Sequence, residues 1–192
     1  MARLELHPPA RHGGFVGDGI AGAEARAAGV LVAMFDEAGE ARLILTKRPD
    51  TLPTHQGQIA FPGGKFDAAI DADLAAAALR EAHEEIGIDP HDVRILAELD
   101  HISTVVSGFV IAPFVGALAQ RPAVDPAPGE VTSVFDVALS ELLDDSVWRE
   151  EIWDLPWARS ASMPFYDLAG ETVWGATARI LTNLLAYLTE RR

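Results

Sequence analysis

The stretch Phe61–Ile88, with the sequence FPGGKFDAAIDADLAAAALREAHEEIGI, joins a diglycine turn, an alanine-rich segment and a cluster of charged residues. On an α-helix, positions i and i+4 lie on the same face, so Glu81 and Glu85 would project together, with Glu84 beside them. Three carboxylates that converge on one point repel one another unless they share a cation, and hard oxygen ligands suit Mg²⁺ or Mn²⁺ better than zinc. The spacing therefore predicts a divalent-metal site suited to diphosphates, with Glu81, Glu84 and Glu85 as ligands.

The opposite face of the same segment is apolar at a spacing of 3.6 residues, which predicts a helix that packs on a core through Ala75, Leu79, Ala82 and Ile86. Asp73 is the expected N-cap, and Gly87 is expected to end the helix in the left-handed conformation. Arg80 precedes Glu84 by one helical turn, so we expect it to hold that carboxylate by an ion pair and to orient the neighbouring ligands.

Residues 80–88, REAHEEIGI, resemble the second half of the Nudix box, R-E-U-x-E-E-x-G-U with U aliphatic, and Ala82 occupies the first U position. The first half, G-x5-E-x7, fits with a short insertion, because residues 65–79 separate Gly64 from Arg80 and the strict pattern is two residues shorter. The early glutamate of the pattern is missing. Its candidate acidic substitutes are Asp67, Asp71 and Asp73, and the sequence does not choose among them.

A second motif lies upstream of this box. Leu45-Thr46-Lys47-Arg48, then Gly57, then Phe61-Pro62-Gly63-Gly64 is similar in spacing to the signature of the coenzyme A diphosphatase subfamily, approximately L-L-T-x-R-S-x3-R-x3-G-x3-F-P-G-G. Pro49 replaces the usual serine, and Pro53 stands where an arginine is common. The segment Trp174–Ile180 also resembles the closing segment of the coenzyme A members. The resemblance implies substrate binding by Lys47, Arg48, His55, Gln58, Gly63 and Gly64, with Lys47 and Arg48 forming a positive spot at the mouth of the site.

The implied activity is metal-dependent hydrolysis of a phosphoric anhydride. The expected catalytic residues are Arg80, Glu81, Glu84, Glu85 and Glu130, and the metal is Mg²⁺ or Mn²⁺. The general base is either a box glutamate or Glu130, which follows a loop rich in proline and glycine that is expected near the site. The favoured substrate is coenzyme A or an acyl-CoA, cleaved to adenosine 3′,5′-bisphosphate and 4′-phosphopantetheine or its acyl derivative.

Two other functions remain open. One is hydrolysis of another nucleoside diphosphate derivative, such as ADP-ribose, a dinucleotide or a nucleoside triphosphate, which the substitutions at Pro49 and Pro53 allow. The other is a Nudix domain that senses a nucleotide without cleaving it. The intact triplet Glu81, Glu84 and Glu85 argues against a sensor, because a sensor does not need every metal ligand.

Composition restricts the possible partners and compartment. The 192-residue chain carries a net charge of −14, which disfavours nucleic acid and anionic membranes as partners, so we expect a small-molecule nucleotide substrate. Cysteine is absent, which excludes disulfides, thiolate zinc sites and cysteine nucleophiles. No segment predicts a secretory signal or a membrane span, so we expect a cytoplasmic protein; a homodimer is left open.

Apolar runs predict an α+β fold. Strands are expected at 30–35 and 42–46, joined by a hairpin at 36–40, and at 58–61, 93–99, 109–115 and 131–137, with Pro113 placing its strand at an edge or a bulge. A short helix is expected at 139–143, and a terminal amphipathic helix contains Ile180, Leu184 and Leu188. The Nudix resemblance implies an α/β/α sandwich with a mixed β-sheet between helices. We expect residues 1–28 to form a flexible N-terminal extension and residues 29–192 the Nudix domain. The G-x-G-x-x-G match at 17–22 lacks a preceding strand and is not expected to bind a dinucleotide.

Overall fold

The computed structural model describes residues 26–52, 54–104, 108–156, 158–168 and 170–189. In this part of the chain, a mixed sheet of eight strands is accompanied by three α-helices and a second sheet of three strands. The large sheet contains β1 (Arg26–Glu37), β2 (Glu40–Lys47), β3 (Ile59–Ala60), β4 (Gly63–Lys65), β5 (Val93–Glu98), β6 (Ile102–Thr104), β7 (Phe109–Leu118) and β8 (Ser133–Ala138). The helices are α1 (Leu74–Ile86), α2 (Leu139–Leu142) and α3 (Gly175–Thr189). The predicted α+β class is confirmed.

The sheet separates two apolar cores, because successive side chains of a strand point to opposite faces. On β1, Leu31, Ala33 and Phe35 pack with α1, whereas Val32 packs in the core that contains α3. Both faces of the sheet are therefore covered, as the expected sandwich requires. The sheet is mixed because β1 pairs with β7 in parallel and with β2 in antiparallel fashion.

Helix α1 begins and ends where the sequence predicts. The Asp73 side chain accepts a hydrogen bond from the Ala76 N–H at 2.8 Å, and Gly87 adopts a left-handed conformation with φ 76°. The small side chains of this helix allow it to lie directly on β1. A Cβ atom added at Gly29 would stand 2.1 Å from the Leu74 carbonyl oxygen, so Gly29 is required for this close approach.

The strands β1 and β2 form the predicted hairpin and then diverge. They pair with each other from Met34 to Glu37, after which β1 pairs with β4 and β2 pairs with β3. The segment that contains β3, the diglycine turn and β4 therefore fills the gap between the two strands. The Leu31 N–H donates to the Pro62 carbonyl at 2.8 Å and fixes this segment on the sheet. This arrangement places the diglycine turn beside α1.

Of the two expectations for Pro113, an edge strand or a bulge, the edge strand is wrong, because β7 lies between β1 and β5 in the sheet. The pairing of β7 with β5 does contain an irregular register, but it falls between Ile95 and Ala97, opposite Gly116 and Val115. Proline cannot donate a hydrogen bond, and the register shows how the strand accommodates this. The Pro113 carbonyl accepts from the Leu99 N–H at 2.9 Å, at the connection between β5 and β6. The backbone N and O atoms of one strand residue point to the same side of the strand. The nitrogen of Pro113, which has no hydrogen to donate, therefore faces the connection between β5 and β6, where no ladder hydrogen bond is lost.

A second sheet, which the sequence did not predict, consists of β9 (Trp148–Leu155), β10 (Ala158–Leu168) and β11 (Glu171–Val173) in antiparallel order. Its Tyr166, Leu168 and Val173 are buried in the same core as α3. The consecutive charged residues at 149–151 interrupt the alternation of apolar and polar residues in β9, so its strand period is weak in the sequence. The terminal helix is confirmed as α3, with Ile180 and Leu184 buried.

The first strand begins at Arg26, a few residues before the predicted domain boundary at 29. The glycine motif at 17–22 lies outside the described residues. Among the described residues, no helix has both the length and the apolar character needed to cross a membrane.

Candidate active site

Glu85 is the most buried carboxylate of the charged cluster, with 8% of the residue exposed. It lies in the last turn of α1, and its Oε2 accepts a hydrogen bond from the Gly63 N–H at 3.1 Å. Burial raises the pKa of Glu85 to about 7, and the charges of Glu81 and Glu130 act in the same direction. The Gly63 N–H and the positive charge of Arg48 oppose this rise in pKa. A nearby cation would therefore stabilise the ionised form of Glu85.

Arg80 organises the other two glutamates of the helix. Its Nη1 lies 2.9 Å from Glu81 Oε1 and 2.9 Å from Glu84 Oε2. The predicted ion pair between Arg80 and Glu84 is therefore confirmed, and Arg80 also holds Glu81. Burial raises the pKa of Glu81 above its ordinary value, against the opposing effect of Arg80.

The three carboxylates do not converge on one point, contrary to the expectation from helical spacing. Glu84 is exposed and lies against Arg80, whereas Glu85 is turned toward Gly63. Within the described residues, no group of three or more histidines, aspartates and glutamates is placed to hold a metal ion. The guanidinium group of Arg80 accounts for the separation, since it draws Glu81 and Glu84 to itself. Residue spacing alone could not show this competition.

Asp71 anchors Arg80 from the other side. Its two oxygens accept from Arg80 Nε at 2.8 Å and from Arg80 Nη2 at 3.0 Å, which is a bidentate pair. The Asp71 side chain is only 2% exposed, and its bond to Arg80 lowers the pKa of its carboxyl group. The other two candidates for the missing glutamate of the box have different hydrogen-bond partners. Asp73 caps α1, and Asp67 accepts from the Ala69 N–H in the preceding loop. Of the three aspartates, Asp71 is the one that pairs with the arginine of the box.

The two glycines of the turn are confined by different neighbours. A Cβ atom at Gly63 would stand 2.5 Å from the Gly29 carbonyl oxygen and from the Val30 Cα, both backbone atoms. A Cβ atom at Gly64 would stand 2.4 Å from the Glu81 carboxylate carbon. Gly63 is therefore required by the packing of the sheet, and Gly64 leaves the space in which the Glu81 carboxylate lies.

Lys47 and Arg48 do not form the expected joint positive spot. The Lys47 ammonium lies 2.6 Å from Glu171 Oε1 on β11, and this pair raises the pKa of Lys47. Arg48 instead lies within electrostatic reach of Glu85. Its Nε is buried and has no hydrogen-bond partner among the described residues. The two charges diverge because consecutive residues of an extended chain point to opposite sides of the sheet.

His55 and Gln58 lie in the loop before β3. The His55 Nδ1 is 2.8 Å from Gln58 Oε1, and His55 is exposed with φ 57°. The Gln58 carbonyl accepts from the Arg48 N–H at 3.0 Å, which ties this loop to the end of β2. Pro53 lies outside the described residues.

The loop between β7 and β8 lies against the end of α1, as its proline and glycine content predicted. The Ala127 N–H donates to the Glu85 carbonyl at 2.8 Å, and the Asp125 N–H donates to the Ile86 carbonyl at 3.0 Å. These bonds satisfy two carbonyl groups at the end of the helix. Glu130 follows this loop, is exposed, and contributes its charge to the field at Glu85.

The donor set fits a divalent cation. Glu81 and Glu85 offer hard carboxylate oxygens, and burial disfavours the ionised form of both. A divalent ion would remove that penalty, whereas zinc sites usually include histidine or cysteine donors. Glu81 and Glu85 are accordingly the residues that would hold a metal, with Glu84 one helical position away.

A mixed sheet between helices, with a carboxylate-bearing helix directly after a diglycine turn, defines the class of α/β/α proteins with a candidate divalent-metal site. Residues 25–156 match the NUDIX domain family. The chain belongs to the Nudix hydrolase family, whose hydrolases generally use divalent metal ions and bind small nucleotides.

Curated relatives carry the same family name. The chain is 37% identical over 177 residues to Nudix hydrolase 22, chloroplastic, of Arabidopsis thaliana. The aligned region covers 85% of this chain and 56% of the relative. The chain is 38% identical over 143 residues to the uncharacterized Nudix hydrolase NudL of Citrobacter koseri, which covers 74% of this chain and 72% of that protein. The chain thus spans little more than half of the plant relative's length.

Solved structures support the fold. A MutT/nudix family protein from Enterococcus faecalis superposes with a TM-score of 0.56 at 12% identity, covering 86% of this chain and 63% of that chain. An Ap4A hydrolase of C. elegans superposes with a TM-score of 0.51 at 20% identity, covering 59% of this chain and 80% of that chain. At these identities the likeness concerns the fold alone.

Proposed function

We propose that this protein hydrolyses the diphosphate linkage of a nucleoside diphosphate derivative, with coenzyme A or an acyl-CoA as the preferred substrate. The observation that carries the proposal is a buried Glu85 within electrostatic reach of Arg48, whose buried Nε has no hydrogen-bond partner among the described residues. Burial disfavours the ionised form of the Glu85 carboxylate. Arg48 has a buried Nε that has no acceptor among the described residues. A metal–diphosphate substrate would supply both missing partners, a cation for Glu85 and phosphate oxygens for Arg48.

In this proposal Glu81 and Glu85 would hold the divalent ion, Mg²⁺ or Mn²⁺, and Glu84 would join them directly or through water after leaving Arg80. The cation would supply a bound water of lowered pKa and would screen the phosphate oxygens. Arg80 and Asp71 act as a rigid support, because the bidentate pair fixes the guanidinium from which Glu81 and Glu84 are held.

The remaining residues bind and orient the substrate and accept a proton. Arg48 donates to a non-bridging phosphate oxygen, while the Gly63 N–H holds Glu85 and Gly64 leaves room for the Glu81 carboxylate. The general base is either a box glutamate or Glu130. Glu85 has a pKa of about 7 when no cation is bound, and Glu130 is exposed within its electrostatic reach.

Preference for coenzyme A is supported by the spacing of the upstream signature, from Leu45 through Gly64. The chain retains the arginine of that signature as Arg48 and the F-P-G-G turn beside α1. The substitutions at Pro49 and Pro53 remove a hydroxyl and a possible phosphate contact. His55, exposed and in contact with Gln58, follows Pro53 by two positions in the sequence and is the proposed replacement for that contact.

The test is product release from coenzyme A, acetyl-CoA, ADP-ribose, NADH and dGTP, each with Mg²⁺ and with Mn²⁺, followed by chromatography and mass spectrometry. We expect kcat/KM for coenzyme A or acetyl-CoA to exceed that for the other substrates by about tenfold or more. The products should be adenosine 3′,5′-bisphosphate and 4′-phosphopantetheine or its acyl derivative. Chelation of the metal should abolish release.

Each contrary result has a definite meaning. Faster cleavage of ADP-ribose, NADH or dGTP would overturn the coenzyme A assignment and leave the reaction class intact. Binding of these compounds without cleavage of any of them would overturn the reaction class and favour a nucleotide sensor. The matched variants are Glu85→Gln, which should lose activity, and Glu98→Gln, which removes an equal charge from β5 at the far edge of the sheet.

A further inference from the structure

Strand β9 lies at the edge of the second sheet. Among the described residues, β10 pairs with one side of β9, and no strand pairs with its other side. The Val147 carbonyl, just before β9, accepts from the Asp167 N–H at 2.8 Å, so the backbone groups of Val147 point toward β10. Because backbone direction alternates along a strand, the N–H and C=O groups of Trp148, Glu150 and Ile152 point outward. This outer edge therefore offers backbone donors and acceptors to a further strand.

Two large apolar side chains are exposed along this edge. Trp148 is 42% exposed and Ile152 is 62% exposed. They lie on the same face of the sheet, because side chains two or four positions apart on a strand share a face. A strand added at the outer edge would remove part of both side chains from water, which favours its binding.

The charges of β9 restrict which strand can be added. The strand carries one basic residue, Arg149, and three acidic residues, Glu150, Glu151 and Asp154. Like charges directly opposite each other destabilise a pair of strands, and charged residues at an edge commonly prevent pairing. A second copy of β9 presents the same residues in the reverse order, so the register decides whether unlike or like charges meet.

One register brings unlike charges together. In a symmetric antiparallel pair, one residue lies opposite its own counterpart, and residues at equal distances on either side of it face each other. With Glu150 at the centre, Arg149 of one copy faces Glu151 of the other. Trp148 faces Ile152 in the same register. Each of these pairs occurs twice, so an ion pair and an apolar pair would form on both sides of the axis.

The neighbouring registers bring like charges together. A centre at Arg149 places two arginines opposite each other, and a centre at Glu151 places two glutamates opposite each other. A centre at Ile152 brings Glu150 opposite Asp154 on both sides of the axis. Of these registers, the one centred on Glu150 alone combines unlike charges with an apolar pair.

We propose that β9 is a dimer interface, in which two copies of this chain pair their β9 strands in antiparallel order around Glu150. The Glu150 side chains meet at the axis, but the Ser162 hydroxyl donates to Glu150 and draws its carboxylate toward β10. This interface uses no residue of α1 or of the diglycine turn, so it is independent of the proposed function. One strand from each copy makes a small interface, so we expect a Kd on the order of 10–100 µM.

Single cysteines test the register, because the chain contains no cysteine of its own. In Glu150→Cys the two thiols face each other, at a spacing that a disulfide can bridge. In Ile152→Cys and Asp154→Cys the two thiols are offset along the strands by about 13 Å and about 26 Å, too far for a disulfide. We expect Glu150→Cys to form a disulfide-linked dimer at least about tenfold faster than either control under mild oxidation. Equal rates in the three variants, or a faster rate in either control, would overturn the proposal.

Sedimentation velocity tests association itself, with the wild type at about 1 µM to about 500 µM in about 0.15 M salt. We expect the wild type to convert from monomer to dimer over this range. Arg149→Glu and Glu151→Arg should each weaken association by about tenfold or more, and the double variant should recover to within about threefold of the wild type. Urea unfolding of each variant establishes whether the fold is retained.

Ile152→Glu serves where a charge reversal disturbs folding, because Ile152 is exposed. It adds a carboxylate to an acidic edge, so it should abolish association and leave the free energy of unfolding unchanged. A wild type that stays monomeric at the highest concentration would overturn the proposal, as would a folded double variant that associates no better than the single variants. A monomeric wild type that loses stability in Ile152→Glu would overturn it in favour of another segment of this chain as the cover of the edge.

Discussion

Glu85→Gln should stabilise the metal-free protein while it abolishes turnover. Burial raises the pKa of Glu85 from its ordinary 4.5 to about 7, so the folded state binds this proton more tightly than the unfolded state. Folding stability therefore falls as the pH rises from about 4.5 to about 7, and the loss is complete above that range. At about 1.4 kcal/mol per pH unit, the ionised carboxylate costs about 3 kcal/mol.

Glutamine removes the free-energy cost of burying an ionised carboxylate, but its amide NH₂ group loses hydrogen bonds to water when it is buried. If desolvation of the amide costs about 1 kcal/mol, the free energy of unfolding at pH 8 should rise by a net value of about 2 kcal/mol. This corresponds to a rise in Tm of roughly 4–8 °C. At pH 4.5 the gain should disappear, because Glu85 is then protonated in the folded state. Loss of a metal ligand should lower kcat by about 10²-fold or more.

The assay is urea unfolding in chelator at pH 4.5 and pH 8, together with turnover at saturating Mg²⁺. Glu84→Gln is the control on the same helix. Its carboxylate is 54% exposed and pairs with Arg80, so its replacement should leave stability unchanged or slightly reduced. A Glu85→Gln protein that is less stable than the wild type at pH 8, or whose stability difference is the same at both pH values, would show that burial of the Glu85 charge does not destabilise the fold.

Three further predictions concern the support of the site. Asp71→Asn breaks the buried bidentate pair with Arg80, so we expect a loss of about 2 kcal/mol in urea unfolding and at least tenfold lower kcat; unchanged stability would contradict the anchoring role. Gly64→Ala should displace the flexible Glu81 carboxylate and lower kcat with little loss of stability, whereas Gly63→Ala meets backbone atoms and should lower Tm; equal effects of the two would contradict the geometry. Millimolar Mg²⁺ or Mn²⁺ should raise the Tm of the wild type but not of Glu85→Gln in a thermal shift assay, and an equal rise in both would argue against Glu85 as a ligand.

Much of the fold was predictable because its signals are local. The hairpin of β1 and β2 follows from two apolar runs around a turn, and its loop residues Ala38 and Gly39 have φ 55° and 86°. The limits of α1 follow from a capping aspartate and a left-handed glycine. The second sheet was not predictable in this way, since the burial of Tyr166 and Val173 depends on contacts with α3 and the large sheet.

The chemical groups of the candidate site and their order along one helix follow from local signals, because capping, helical period and turn formation act within a few residues. Long-range packing selects the aspartate that holds Arg80, turns Lys47 and Arg48 apart, and brings Glu171 to Lys47. It also decides the burial that raises the pKa of Glu85. These properties depend on which distant segments approach and exclude water, and desolvation and ion pairing are set by that approach and not by spacing along the chain.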